Sequence, residues 1–221
     1  MITAKQMFFS IVLVGRQNPQ ILNHDFLESN GVLPRKEPFY KQNLAQGEAV
    51  FTEFFSTPPM ARIAYKKYSL LVYEERFQAI DTTGDDPRES PIIQITKNYF
   101  GNLLKYTPFT VGGLNLNCEL TLGPAEEQVI DGILGINREQ ANQAFGFVST
   151  IGSITGIFPF LDGKMSVVFA KPKDPGNPTK VNFNYEFSYP GSMEAFLSNI
   201  DKVDKIVDYQ QSFYERIGVT N

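Results

Sequence analysis

The stretch Lys180-Val181-Asn182-Phe183-Asn184-Tyr185-Glu186-Phe187-Ser188-Tyr189 decides the fold class. Val181, Phe183, Tyr185, Phe187 and Tyr189 alternate with Asn182, Asn184, Glu186 and Ser188, and a period of two means a half-buried strand with one apolar and one polar side. Just before it, Lys164-Met165-Ser166-Val167-Val168-Phe169-Ala170-Lys171 is β-branched and apolar, which predicts a second strand. Between them Pro172, Pro175 and Pro178 cannot donate ladder hydrogen bonds, so this segment is the tip of a long antiparallel hairpin.

After Pro190-Gly191 the period changes. Met193, Phe196, Leu197, Ile200, Val203, Ile206, Val207, Gln210, Phe213, Tyr214 and Ile217 recur at intervals of three and four, with Ser192 as N-cap and Gly218 as terminator. The spacing predicts one helix of about 38 Å at 1.5 Å per residue, long enough for its distal end to overhang a typical strand. Tyr209, Phe213, Tyr214 and Ile217 are therefore candidate interface residues.

The same order of elements occurs nearer the N-terminus. Met60–Tyr65 and Tyr68–Glu74 flank Lys66-Lys67 as a hairpin, Arg76–Ile80 comes next, and Ser90-Pro91 opens a helix carrying Ile92, Ile95, Tyr99, Leu103 and Leu104 inward. A strand and a shorter helix precede each hairpin: Phe8–Val14 with Pro19–Ser29, and Phe109–Leu120 with Asn137–Phe145. Val50–Phe55 reads as another strand, Gly123–Gly135 as a short helix, and Phe147–Phe158 as a buried strand interrupted by glycines. The expected fold is α+β, a mainly antiparallel sheet with long helices packed on one face. Its two similar β-α-β-β-α halves span residues 1–107 and 108–221 of one compact unit, with no linker long and polar enough to separate independent domains.

Composition excludes several classes. Of 221 residues, 42% are hydrophobic and 20 basic residues stand against 24 acidic, a net charge of −4, which rules out an unfolded chain. The apolar run Met7–Val14 reads better as a buried strand than as a secretory signal, since no small-residue cleavage site succeeds it. No stretch approaches the ~20 apolar residues of a membrane helix. The single Cys118 cannot close an intrachain disulfide, so the expected compartment is the cytoplasm.

Chemistry is sparse. His24 and Cys118 are the only imidazole and thiol and lie far apart, so no zinc set is expected; Asp81, Asp85 and Asp86 lack the spacing of a calcium loop. No nucleophile elbow, phosphate loop or dinucleotide fingerprint is present. Glu74 and Glu75, as strand neighbours, would point to opposite faces, and Asp201, Asp204 and Asp208 share a helix side with Lys202 and Lys205 as ordinary surface. Arg16, Arg35, Lys36 and Lys41, with Phe39 and Tyr40, give the N-terminal region a positive, aromatic bias.

Two candidate ligand features remain. Arg16 and Asn18 lie where a strand runs out and Pro19 opens a helix, a place that attracts anions. Asn115 and Asn117, two residues apart on a strand, face the same way. The resulting expectation is a non-catalytic protein-interaction or scaffold subunit of a cytoplasmic assembly of microbial character. It has no cofactor or metal, its partners are copies of itself or other protein subunits, and no membrane is involved. The alternative is a nucleotide or nucleic-acid binding module using Arg16, Asn18, Asn115 and Asn117.

Overall fold

The computed structural model describes residues 2–33, 51–56, 59–104, 106–122, 153–170 and 178–219. Nine strands among them form one antiparallel sheet: β1 (Thr3–Gly15), β2 (Phe51–Ser56), β3 (Pro59–Ala64), β4 (Tyr68–Tyr73), β5 (Arg76–Asp81), β6 (Phe109–Thr121), β7 (Ser153–Phe160), β8 (Gly163–Ala170) and β9 (Thr179–Ser188). Their order across the sheet is β2-β3-β4-β5-β1-β6-β9-β8-β7. The helices are α1 (His24–Ser29), α2 (Pro91–Asn98), α3 (Met193–Ser198) and α4 (Val203–Arg216). The fold is thus α+β.

The hairpin read from the sequence forms, with Met165 opposite Tyr185 and Val167 opposite Phe183. Its apolar side belongs to a single core. Ile11 and Leu13 of β1, Ile63 of β3, Phe77 of β5, Leu114 and Leu116 of β6 and Phe183 of β9 meet Leu27, Ile92, Ile95, Phe196, Ile200 and Ile206 from the helices. Each large side chain taken fully from water contributes about 1.5–3 kcal/mol, so this contiguous layer is the main source of stability.

The centre of the sheet is β1 against β6. Register slips by one residue at Met7, so Gln6 faces Cys118 on the helix side while Phe8 faces Asn117 on the other. Such a bulge resets which face each side chain occupies. On β6, Gly112 lies under the Phe187 ring, where a Cβ would collide with that ring.

The single long helix expected from Ser192 onward is corrected. The segment divides into α3, a tight 3-10 turn at Asn199–Lys202, and α4. The reason lies at Asn199, which is buried and donates from its side chain back to the Ala195 carbonyl at 3.1 Å, where Ser198 Oγ also donates at 2.8 Å. Side chains that compete for the carbonyls of the preceding turn tighten and bend a helix. α4 lies over the sheet to its distal end, so that end does not overhang. Tyr209 meets Phe158, Phe160 and Phe183; Phe213 meets Phe169 and Phe183; Tyr214 meets Phe183; Ile217 packs against the same core.

Two further expectations change. The helix predicted over Pro19–Ser29 is a 3-10 turn at Pro19–Ile21 and then α1, because Asn18 and Asn23 each cap a separate start. Of the segment read as a buried strand, residues 147–152 lie outside the described residues; the described part belongs to β7, which as the outermost of the described strands leaves Ile157 67% exposed. The helices predicted over 123–135 and 137–145, the hairpin tip and the cluster at Arg35, Lys36, Phe39, Tyr40 and Lys41 lie outside the described residues.

The two adjacent glycines of β6 make a test of the face assignment. Gly112→Ala is expected to destabilise by about 1–3 kcal/mol through overpacking. Gly113→Ala, whose Cβ would meet nothing closer than Asn184 Oδ1 at 3.4 Å, is expected to be neutral or slightly stabilising in urea denaturation. Equal losses at both positions would contradict the assigned register.

Candidate functional site

The face of the sheet opposite the core carries no described helix, and its side chains are mostly half-buried. Register places Ser10, Asn115, Asn184 and Ser166 in one row across β1, β6, β9 and β8. The next row on one side is Phe8, Asn117, Asn182 and Val168; on the other it is Val12, Gly113, Glu186 and Lys164. Asn115 thus stands directly opposite Asn184, and Asn117 opposite Asn182. Among the described residues the four side-chain amides make no hydrogen bond. They are half-buried groups with donors and acceptors facing outward.

Gly113 interrupts this array. A shallow depression of about 180 Å³ opens there, lined by Val12, Val14, Val111, Gly112, Asn115, Asn184 and Glu186. Glu186 is held on its rim by Lys164 at 2.7 Å.

Arg16 and Asn18 lie elsewhere. Arg16 is exposed beside a second depression at the end of β1, which also contains Gln17, Glu74, Glu75 and Thr110. Glu74 and Glu75, expected as strand neighbours to point to opposite faces, lie instead in the turn after β4 and both border it, and two carboxylates there oppose an anionic ligand. Asn18 accepts from Gln20 N at 3.1 Å and lines a third depression with Phe54, Ser56 and Pro59. The turn it caps is three residues long and so has almost no helix dipole to offer an anion. Val14 borders both of the first two depressions, but Asn117 borders none of the three. The structure therefore brings Asn115 together with Asn184 and leaves Arg16, Asn18 and Asn117 apart from them.

Several other polar groups are occupied in the fold, whereas the buried Gln17 Oε1, Thr96 Oγ1 and Tyr99 hydroxyl have no hydrogen-bond partner among the described residues. Asp81, buried at the end of β5, accepts from Ser90 Oγ and from Thr83 N at 2.8 Å, while Asp86 is paired with Arg88, which holds its carboxyl below the ordinary range. His24 Nδ1 lies 3.0 Å from the Tyr65 hydroxyl. Asp162 binds Lys202 and accepts from the Tyr185 hydroxyl at 2.5 Å; its carboxyl is held low, by Lys202 first and Tyr185 second. Burial, then the bond to Asp162, pushes the Tyr185 phenol up. Among the described residues no three His, Cys, Asp or Glu side chains converge on a common point where a metal ion would sit.

A polar knot between sheet and helix was not legible in the sequence. Gln210 of α4 is buried and donates to the Cys118 thiol, to Gln6 Oε1 at 3.1 Å and to the Tyr214 hydroxyl at 3.0 Å. Only the heptad-like position of Gln210 among apolar neighbours marked it. Burial pushes the Cys118 thiol up to about 11 from 9.0, so it is a poor nucleophile at neutral pH.

No protein-family model matches the chain, and no curated protein shows significant similarity to it in sequence.

The thiol predicts a pH dependence. Its proton is held more tightly in the folded chain, so this contribution to stability is complete below pH 9 and is lost as pH rises through about 11. Tyr68, pushed up from 10.0 to about 12 by burial and then Asp81 and Asp85, extends the loss. Denaturation midpoints between pH 8 and 11 should fall in the wild type and fall less steeply in Cys118→Ala; parallel curves would remove the thiol from the account.

Proposed function

We propose that the chain is a non-catalytic interaction subunit of a cytoplasmic assembly, presenting the open face of its sheet to a protein partner. The observation that carries this reading is the composition of that face. Phe8, Val12 and Val14 of β1, Leu71 of β4, Ile80 of β5, Val111 of β6 and Val168 of β8 lie on it beside the asparagines, uncovered by any described helix. A wide surface of mixed apolar and neutral polar groups is what a protein contact uses at its centre. Ion pairs within the chain already match charges on it: Arg62 pairs with Glu53 at 3.6 Å and Lys164 with Glu186 at 2.7 Å.

The candidates on α4 fit this reading poorly as direct contacts. Tyr209, Phe213, Tyr214 and Ile217 spend their rings and methyls on β7–β9 and the core. Their role is to hold the sheet from behind. The duplicated organisation is also a proposal: three consecutive strands in each outward run, β5-β4-β3 on one side, beyond which lies β2, and β9-β8-β7 on the other, support two related halves. No described helix is long and apolar enough to cross a membrane.

The test pairs a face variant with a back-side control. Leu71→Glu with Val168→Glu changes the open face at two half-buried sites, and Lys205→Ala changes an exposed position on α4. Affinity capture from source cells, with light scattering on the purified chain, should show a stoichiometric partner or a self-complex for the wild type and for Lys205→Ala. The double variant, folded by circular dichroism, should lose it at least tenfold. A wild-type monomer that captures nothing absent from the double variant would end this reading.

A further inference from the structure

We infer that the depression over Gly113 is a slot for a planar nucleobase, set within the wider face proposed for the protein contact and sharing Val12, Val14 and Val111 with it. The depression exists because one side chain is missing from a filled array. Gly113 sits at the crossing of three rows on the open face, with Val12 and Glu186 beside it, Val111 and Asn115 two residues away on its own strand, and Val14 and Asn184 at the diagonals. On a pleated surface those neighbours stand about 5–7 Å away, so one absent side chain leaves a shallow depression bordered by their side chains.

The walls differ in chemistry. Val12, Val14 and Val111 supply apolar contact suited to the face or rim of a ring. On the opposite side Asn184 Oδ1 and Asn115 Nδ2 lie 3.4 and 4.0 Å from the point where a Gly113 side chain would begin. That is an acceptor and a donor side by side, and neither amide is engaged within the described residues. A phosphate or carboxylate would satisfy only the donor, and an ammonium or guanidinium only the acceptor. A peptide or side-chain amide offers both but has no flat apolar body to set against the valines; a nucleobase offers both on one edge of such a body, and asparagine is the side chain whose amide matches the donor–acceptor edge of adenine. The Glu186 carboxylate on the rim is placed to accept the second hydrogen of the same exocyclic amine. The volume of about 180 Å³ admits one base without its sugar and phosphate.

The lining holds no Lys or Arg, so the base and not the phosphate is the recognised part. Two sources share this chemistry: a free nucleoside or nucleotide, and an unstacked base of a single strand. Bases stacked within a duplex do not expose a face to the valines.

The experiment monitors the side-chain amide resonances of Asn115 and Asn184 in the full chain during titration with adenosine, cytidine, guanosine and uridine. A mixed-sequence single-stranded DNA 8-mer forms a second arm. Saturable shifts at both asparagines with at least one nucleoside, little changed between 50 and 300 mM salt, are expected. Gly113→Val, which plugs the hole with a strand-favouring residue, should weaken binding at least tenfold, as should Asn184→Ala. Asn117→Ala with Asn182→Ala, outside the depression, should leave it unchanged. Tighter binding of the 8-mer than of any nucleoside assigns the site to a strand; the reverse assigns it to the free compound. Absence of shifts at both asparagines with all five probes, or Gly113→Val binding like the wild type while folded, overturns the inference. Loss of the captured partner in the Leu71→Glu, Val168→Glu variant leaves it standing, because those substitutions alter neither valine wall nor asparagine.

Discussion

Everything else in the molecule is placed by the pairing of β1 with β6. These two strands, of thirteen residues each, join the N-terminal and C-terminal strand sets into one sheet along most of their length. Because side chains alternate sides, that single register sends Ile11, Leu13, Leu114 and Leu116 to the core and Ser10, Val12, Gly113 and Asn115 to the open face. A slip of one residue would exchange the two sets. The bulge at Met7 is where the register is adjusted so that both ends of β1 meet their partners correctly.

The back of the sheet is held by aromatic contact more than by charge. Phe77, Tyr99, Phe100, Phe109 and Phe196 form a chain of ring contacts from β5 through the helical turn after α2 and the start of β6 to α3, with neighbouring centroids 4.9–5.1 Å apart. Phe183 lies under Tyr209, Phe213 and Tyr214 at the other end. Such pairs add about 0.5–1.5 kcal/mol each beyond their burial, whereas the exposed ion pairs across the helices, Lys97 with Asp201 and Arg88 with Asp208, are worth about 0–1 kcal/mol. Because this layer supplies most of the apolar burial, the front face is free to carry polar side chains. The asparagines and Gly113 occupy positions where an ordinary core-building sequence would gain from valine or threonine.

Much of this was legible along the chain. The strand at Val181–Tyr189, its hairpin with Met165–Ala170, and the N-terminal set at Met60–Ile80 come from period two, and the inward residues of α2 from period 3.6. The break at Asn199 was not legible, because a buried amide that bonds Ala195 reads in sequence as one more polar residue on a helix. Nor was the Gln210–Cys118 contact, which joins groups 92 positions apart. For the candidate site, Asn115 was visible as an outward strand residue and Asn184 as part of a polar alternation, but nothing local linked them.

What the amino-acid sequence determined by itself was the two-sidedness of each strand and the helical periodicity of the C-terminal segment, because both arise from the backbone repeat acting on neighbouring side chains. What only the tertiary structure decided was which outward residues stand next to one another. Asn115 meets Asn184, and Gly113 becomes the floor of a depression, through the register of β6 on β9. That register is chosen by the buried faces of strands distant in sequence, where Leu114 and Leu116 lie against Tyr185 and Phe183, and the open face inherits its arrangement from them.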